Sequence, residues 1–162
     1  MRLVARTPAR DAHLRRLYAA FGGALGVWIP FVAIVLQARR FDPAQVGLLL
    51  GCNSLGTVLA TPVWSSLADR YIGSARALRY ALVAGAMASL GLAFSDGSFS
   101  TTAALFVGFG ATVGATTGLI DSLALEHLGG AREIRYGAFR LFGSLGWAVV
   151  VTSLGAVLQV TG

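Results

Sequence analysis

The chain has 162 residues, of which 56% are hydrophobic and 12% charged, with a mean hydropathy of +0.71. A soluble domain carries about 25% charged residues and a disordered chain is charge-rich and poor in apolar residues, so both classes are excluded. The net charge is +6, with 13 basic residues that are all Arg. A nucleic-acid-binding stripe needs a polar surface to sit on, which this composition lacks, and the excess of Arg reads instead as membrane topology.

Charge-free runs then predict five membrane-spanning helices in an all-α membrane protein. A basic tail over 1–16 carries Arg2, Arg6, Arg10, Arg15 and Arg16. The transmembrane bundle occupies 17–162, with spans over 17–38, 43–68, 77–95, 98–128 and 136–160. The first apolar run is 22 residues, longer than the roughly 7–15 of a secretory signal, and Ala38-Arg39-Arg40 is a poor cleavage site, so a retained first helix is expected. Asp42-Pro43 suits a helix start, Ser95-Asp96-Gly97-Ser98 a tight turn, and Gly129-Gly130 a helix stop. Eleven Arg fall in the tail and in the loops after the second and fourth spans, against two, Arg39 and Arg40, on the other side. That asymmetry predicts a cytoplasmic N-terminus in the cell (inner or plasma) membrane.

Glycines recur at four-residue spacing in Gly22/Gly26, Gly47/Gly51 and Gly110/Gly114/Gly118. Small residues spaced this way share a helix face and let helices approach closely in lipid. They argue for a packed bundle rather than a row of anchors. The single cysteine, Cys52, offers no disulfide.

Ionisable groups at membrane depth are costly and mark functional sites by default. Asp121 lies about 10 Å inside the end of the fourth span and Arg140 about 6 Å inside the start of the fifth, at about 1.5 Å per residue. The two helices are antiparallel neighbours in sequence, so the groups are expected at similar depth. Ser144 and Trp147 follow Arg140 at i+4 and i+7 and share its helix face. A forked donor, a hydroxyl and an indole on one face suit a hydroxylated or planar solute. Asn53, Ser54 and Thr57 in the second span, and Thr112, Thr116 and Thr117 in the fourth, are either polar lining or bonded to their own backbone.

The turn after the second span, Ser65-Ser66-Leu67-Ala68-Asp69-Arg70-Tyr71-Ile72-Gly73-Ser74-Ala75-Arg76, resembles the signature loop of the major facilitator superfamily. The match is specific at Leu67-Ala68-Asp69-Arg70, with Ser65 where the leading Gly is usual and one extra residue before Gly73. Three further segments resemble the lactose-permease and nucleoside-proton-symporter branch: Gly26-Val27-Trp28-Ile29-Pro30-Phe31, Asp121-Ser122-Leu123-Ala124-Leu125-Glu126, and Tyr136-Gly137-Ala138-Phe139-Arg140-Leu141-Phe142-Gly143-Ser144-Leu145-Gly146-Trp147. The resemblance implies a partial N-terminal half of the major facilitator fold, covering five of its twelve spans. It implies substrate-binding roles for Arg140, Trp147 and Asp121, to which Ser144, Asn53 and Trp28 are joined as candidates. An ungapped alignment sets Ser122 opposite the family's acidic ligand. Asp69, Arg70 and Arg76 inherit a cytoplasmic gate motif.

The function this implies is secondary active transport, by proton symport and alternating access, of a small polar solute such as a sugar, nucleoside or aromatic acid. The expected partners are that solute, protons, the lipid bilayer and the missing C-terminal half, since the chain reads as an N-terminal fragment; nucleic acid is not among them. The alternative is a small multi-pass scaffold that transports nothing. No metal-ligand cluster, nucleophile with a base, or phosphate-binding loop is present in the sequence, so no cofactor, metal site or catalytic residue is expected and the protein is not read as an enzyme.

Overall fold

The computed structural model describes residues 8–128 and 132–161, and every regular element among them is helical. The helices are α1 (Pro8–Trp28), α2 (Val32–Ala38), α3 (Pro43–Leu67), α4 (Ser74–Ala93), α5 (Phe99–Leu128) and α6 (Arg132–Thr161), with a π-helical turn at Ala68–Ile72 between α3 and α4. Contacts divide the chain into two units. One combines the chain up to Ala33 with the chain from Ala124 onward; the other is Ile34–Leu123.

The helix ends follow local chemistry. Pro30 has no N–H to donate and its ring clashes with the preceding turn, so the expected single helix over 17–38 is interrupted after Trp28 and resumes at Val32. Helix α1 also begins at Pro8, inside the stretch read as a tail: a charge-free run marks where apolar sequence starts, and helical backbone extends past it through Arg10, Arg15 and Arg16. The chain leaves α2 through Arg40, whose φ of 67° is left-handed. There the Phe41 N–H bonds back to the Leu36 carbonyl at 3.2 Å, a Schellman closure that brings buried Phe41 and Leu36 together. Asp42 caps α3 as expected: its carboxylate accepts from the Gln45 N–H at 2.8 Å, and the Gln45 side chain accepts from the Asp42 N–H at 3.1 Å. Pro43 occupies the first turn. The expected turn after α4 is also present, with Gly97 at φ 75° and the Ser98 N–H bonded to Asp96 Oδ1 at 3.0 Å. Gly129-Gly130 lie outside the described residues.

Within the second unit, α3 and α5 touch backbone to backbone. A Cβ placed on Gly110 would overlap the Asn53 carbonyl, one on Gly114 the Thr57 side chain, and one on Gly56 the Val107 carbonyl. Partner numbers rise together from Asn53/Gly110 to Thr57/Gly114, so the two helices run in the same direction. Two side-chain donors tie the seam: Thr57 Oγ1 to the Gly110 carbonyl at 3.1 Å and Trp64 Nε1 to the Ala111 carbonyl at 2.8 Å. Helix α4 lies on α5 with Gly85 against Val113 and Gly91 against Leu105. Here partner numbers fall, and the two are antiparallel. In the first unit, Gly22 of α1 meets the Gly143 backbone of α6 and Gly26 meets Trp147, so α1 and α6 are parallel.

Small residues thus fill the seams and large ones face outward. On α3, Leu55, Val58, Leu59 and Val63 are all more than half exposed, Val58 at 69%. In water that stripe would be an aggregation site; in lipid it meets its proper solvent. Among the described residues, four stretches are long and apolar enough to cross a membrane: Arg10–Ala38, Pro43–Ile72, Phe99–Leu128 and Tyr136–Val160. Helix α4 is outside that set, having 20 residues and both Arg76 and Arg79 near its start. Its other end is held by Arg39, which donates to the Leu92 carbonyl at 2.9 Å, Ser95 Oγ at 3.0 Å and the Ala93 carbonyl at 3.4 Å. Arg39 therefore satisfies the final carbonyls of a helix, which explains one of the two arginines opposing the charge asymmetry.

The seam makes a graded prediction. Gly110→Ala forces a methyl into the Asn53 backbone and should lower stability by about 1–3 kcal/mol, as over-packing does. Gly51→Ala points into open space and should leave the thermal midpoint in detergent unchanged. Equal midpoints for the two variants would contradict the seam.

Candidate solute-binding face

Helix α6 presents Arg140, Ser144 and Trp147 on one exposed flank, as their spacing requires. The Arg140 guanidinium lies over the Tyr136 ring, 5.8 Å from its centroid, so a cation, an aromatic plate and a hydroxyl are displayed in sequence along the helix. Trp147 is 40% exposed, while its backbone packs on Gly26 of α1, with the Trp147 carbonyl 3.0 Å from where a Gly26 Cβ would stand. Trp28, half-buried, ends α1 two residues beyond that contact. The first unit therefore holds four of the six candidate ligands: Arg140, Ser144, Trp147 and Trp28.

The other two fall in the second unit. Asp121 is half-buried in α5. Asn53 sits in the α3–α5 seam, its carbonyl against Gly110 and its side-chain oxygen buried without a hydrogen-bond partner. Most of the hydroxyl candidates bond their own helix: Ser54 to the Leu50 carbonyl, Thr57 to Asn53, Thr112 to Gly108 and Thr116 to Thr112, all at 3.0–3.1 Å. A wide apolar cleft of about 490 Å³ opens along the α1–α6 seam, lined by Ala20, Ala24, Val27, Leu145 and Val149 among others, and none of the six candidates lines it.

The signature turn has a specific geometry. Ala68–Ile72 forms a π-helical turn closed by the Gly73 N–H on the Ala68 carbonyl at 2.9 Å, a five-residue step. A π turn holds one residue more than an α turn, which is where the motif's extra residue is absorbed. Gly73 ends it at φ 80°, ψ 152°, backbone open essentially to glycine alone. Asp69, Arg70 and Arg76 are all exposed around this turn.

Two features of the first unit had no clear signal in the sequence. His127, at the end of α5, and Asp11, in the first turn of α1, meet at 2.6 Å with the His127 side chain only 6% exposed. The Arg15 guanidinium lies 6.0 Å from the Phe139 ring centroid and 5.3 Å from that of Phe142, tying α1 to α6.

Comparison with known proteins decides the family. The model of the MFS_1 like family matches residues 12–162. The chain belongs to this family of major facilitator transporters. It is 35% identical over 136 residues to a maltose permease of Geobacillus stearothermophilus, covering 82% of this chain and 33% of the relative. It is 31% identical over 159 residues to the uncharacterized transporter YwbF of Bacillus subtilis (strain 168), covering 91% and 38%. A putative nucleoside transporter, YegT of Escherichia coli (strain K12), is 22% identical over 137 residues, covering 85% and 32%. The chain thus spans about a third of the length of the curated relatives it matches. No solved structure matches it. Family membership and the long apolar helices make this a multi-pass membrane protein.

The Asp11–His127 contact is testable by a double-mutant cycle. Asp11→Asn and His127→Gln, alone and together, should show a coupling of about 0.5–3 kcal/mol in thermal unfolding. Strict additivity would show that the pair contributes nothing.

Proposed function

We propose that the chain is the N-terminal part of a secondary active transporter for a small polar organic solute, a sugar in the first instance, working by alternating access. The observation that carries this is the exposed Arg140–Ser144–Trp147 flank of α6. An exposed guanidinium on a membrane-spanning helix is expensive in lipid, and it is stabilised when that flank faces a hydrated solute path. Arg donates two parallel hydrogen bonds to paired hydroxyls or a carboxylate, and the indole stacks on a ring face. A relative named a maltose permease and another named a putative nucleoside transporter favour hydroxylated ring solutes; an aromatic acid is the further member of the class. Asp121, Trp28 and Asn53 are further proposed substrate-binding residues, Asp121 on the family resemblance. Symport with protons is proposed on the family resemblance. The proposed partner that completes the transport unit is the remainder of a longer protein, since the matched stretch covers about a third of each relative.

Five spans, with a cytoplasmic N-terminus in the cell membrane, are part of this reading. Helix directions support the count. Parallel α3 and α5 need a crossing between them, and α4 is the helix that connects them. Parallel α1 and α6 need an odd number of crossings between them, which α3, α4 and α5 provide. Twenty residues of helix rise about 30 Å, the thickness of the hydrocarbon core. The Arg excess on one side supports the orientation, and the exposed Asp69, Arg70 and Arg76 are the proposed cytoplasmic gate.

The test is uptake of radiolabelled maltose and uridine by cells expressing the protein from its full reading frame. Arg140→Ala should cut affinity by about 10- to 100-fold, the effect of losing hydrogen bonds to a charged group, at unchanged amount in the membrane. Wild-type uptake by Arg140→Ala would overturn the site. Absence of solute-dependent behaviour in the wild type would favour a scaffold that transports nothing.

A further inference from the structure

We infer that Gly22 and Gly26 of α1 are positioning residues for the solute-binding flank of α6: they set where Arg140 and Trp147 stand by backbone contact, without touching solute. The inference rests on the binding reading of that flank, and it names residues that chemistry alone would pass over, since glycine offers no group to a ligand.

A Cβ on Gly22 would overlap the Gly143 carbonyl, with the Gly143 carbonyl carbon at 2.7 Å and Cα at 2.9 Å. Gly143 is three residues after Arg140 and four before Trp147, so it lies between them on adjoining turns of one face. The next contact upward is Trp147 itself, whose carbonyl and Cα would lie 3.0 Å and 3.4 Å from a Gly26 Cβ. Gly146 completes the seam from the other helix, where a Cβ would overlap the Ala19 carbonyl. The contacts of Gly22 and Gly146 are backbone on backbone, and Gly26 meets the Trp147 backbone together with the tip of the Val151 side chain, Cγ2 at 3.3 Å. A side chain could rotate away from an added methyl; a carbonyl in a helix cannot move without moving its helix. Adding a methyl at Gly22 or Gly26 therefore displaces the segment that carries Arg140, Ser144 and Trp147. Ligand geometry tolerates about half an ångström of such displacement, and about 1 Å costs on the order of 100-fold.

Other glycines provide internal controls of the same chemistry. Gly23 meets only the tip of a side chain closely, Val150 Cγ2 at 3.2 Å, and Gly47 and Gly51 have nothing within 4 Å. Gly47 and Gly51 share the four-residue spacing of Gly22 and Gly26. Spacing is equal across the two pairs; only the contact differs.

The experiment is an alanine series at Gly47, Gly51, Gly23, Gly26 and Gly22, with two readouts. The first needs no solute: in a Cys52→Ser background, Ser144→Cys is alkylated in membranes with a water-soluble maleimide. The second is the KM for maltose uptake at matched membrane amount. The alkylation rate should equal the parent's in Gly47→Ala and Gly51→Ala and depart in the order Gly23, Gly26, Gly22. KM should rise in that order, by about 10- to 100-fold at Gly22 and by about 2- to 5-fold at Gly26, where a shift of a fraction of an ångström relieves the contact, with the maximal rate per inserted molecule much less affected. Gly26→Ala, the milder of the two backbone contacts, decides the matter where Gly22→Ala does not accumulate. An alkylation rate in Gly26→Ala equal to that in Gly47→Ala would overturn the inference, as would a fall in protein amount with KM and alkylation rate unchanged. Failure of the binding reading is separately visible: Arg140→Ala would then keep wild-type uptake while the alkylation series still departs.

Discussion

Backbone contact at glycine is the constraint on which the described structure depends. Lipid tails are as apolar as leucine, so burying apolar surface does not drive helix association within a bilayer as it does in water; close van der Waals packing and interhelical hydrogen bonds take over. Both units use that solution. In one, Gly22, Gly26 and Gly146 bring α1 and α6 into contact; in the other, Gly56 and Gly110 do the same for α3 and α5. Each pair is parallel, and directly touching carbonyls leave little freedom to slide. From this follow the outward-facing Leu and Val stripes and the antiparallel packing of α4 on α5.

Much of the helix layout was legible because its signals are local. Asp42-Pro43 starts α3 through a carboxylate cap and a proline at the first turn, and Ser95 to Ser98 turns the chain between α4 and α5. Charge-free runs found the apolar segments, yet they could not locate the start of α1, since Arg10, Arg15 and Arg16 are compatible with helix outside the apolar core. The interruption at Pro30 and the π turn at Ala68–Ile72 are backbone events that hydropathy does not register. Glycine spacing flagged Gly22/Gly26 and Gly47/Gly51 alike, while only the first pair meets another backbone. Which face a partner covers is a tertiary fact, and period alone does not carry it.

The candidate site divides in the same way. Arg140, Ser144 and Trp147 share a flank because i, i+4 and i+7 must do so on any α-helix, and all three are exposed, as are their apolar neighbours Leu141 and Leu145. Asn53 was nominated from its polarity within an apolar run; its direction into the α3–α5 seam depends on Gly110, 57 positions away. The Asp11–His127 contact joins residues 116 apart, a separation at which neither periodicity nor motif has anything to say. Family membership rests on a match across residues 12–162, and of the signature turn's two departures from the motif, Ser65 and one extra residue, the second falls at the π turn.

The proposed five-span topology depends on the direction of α4, the short, Arg-bearing helix that joins the parallel α3 and α5. The direct measurement is sidedness. In a Cys52→Ser background, Ala75→Cys and Asp96→Cys are placed at the two ends of α4 and labelled in intact cells with a membrane-impermeant maleimide, before and after permeabilisation. Asp96→Cys should be labelled from outside and Ala75→Cys only after permeabilisation. Labelling of both positions from the same side would contradict that topology.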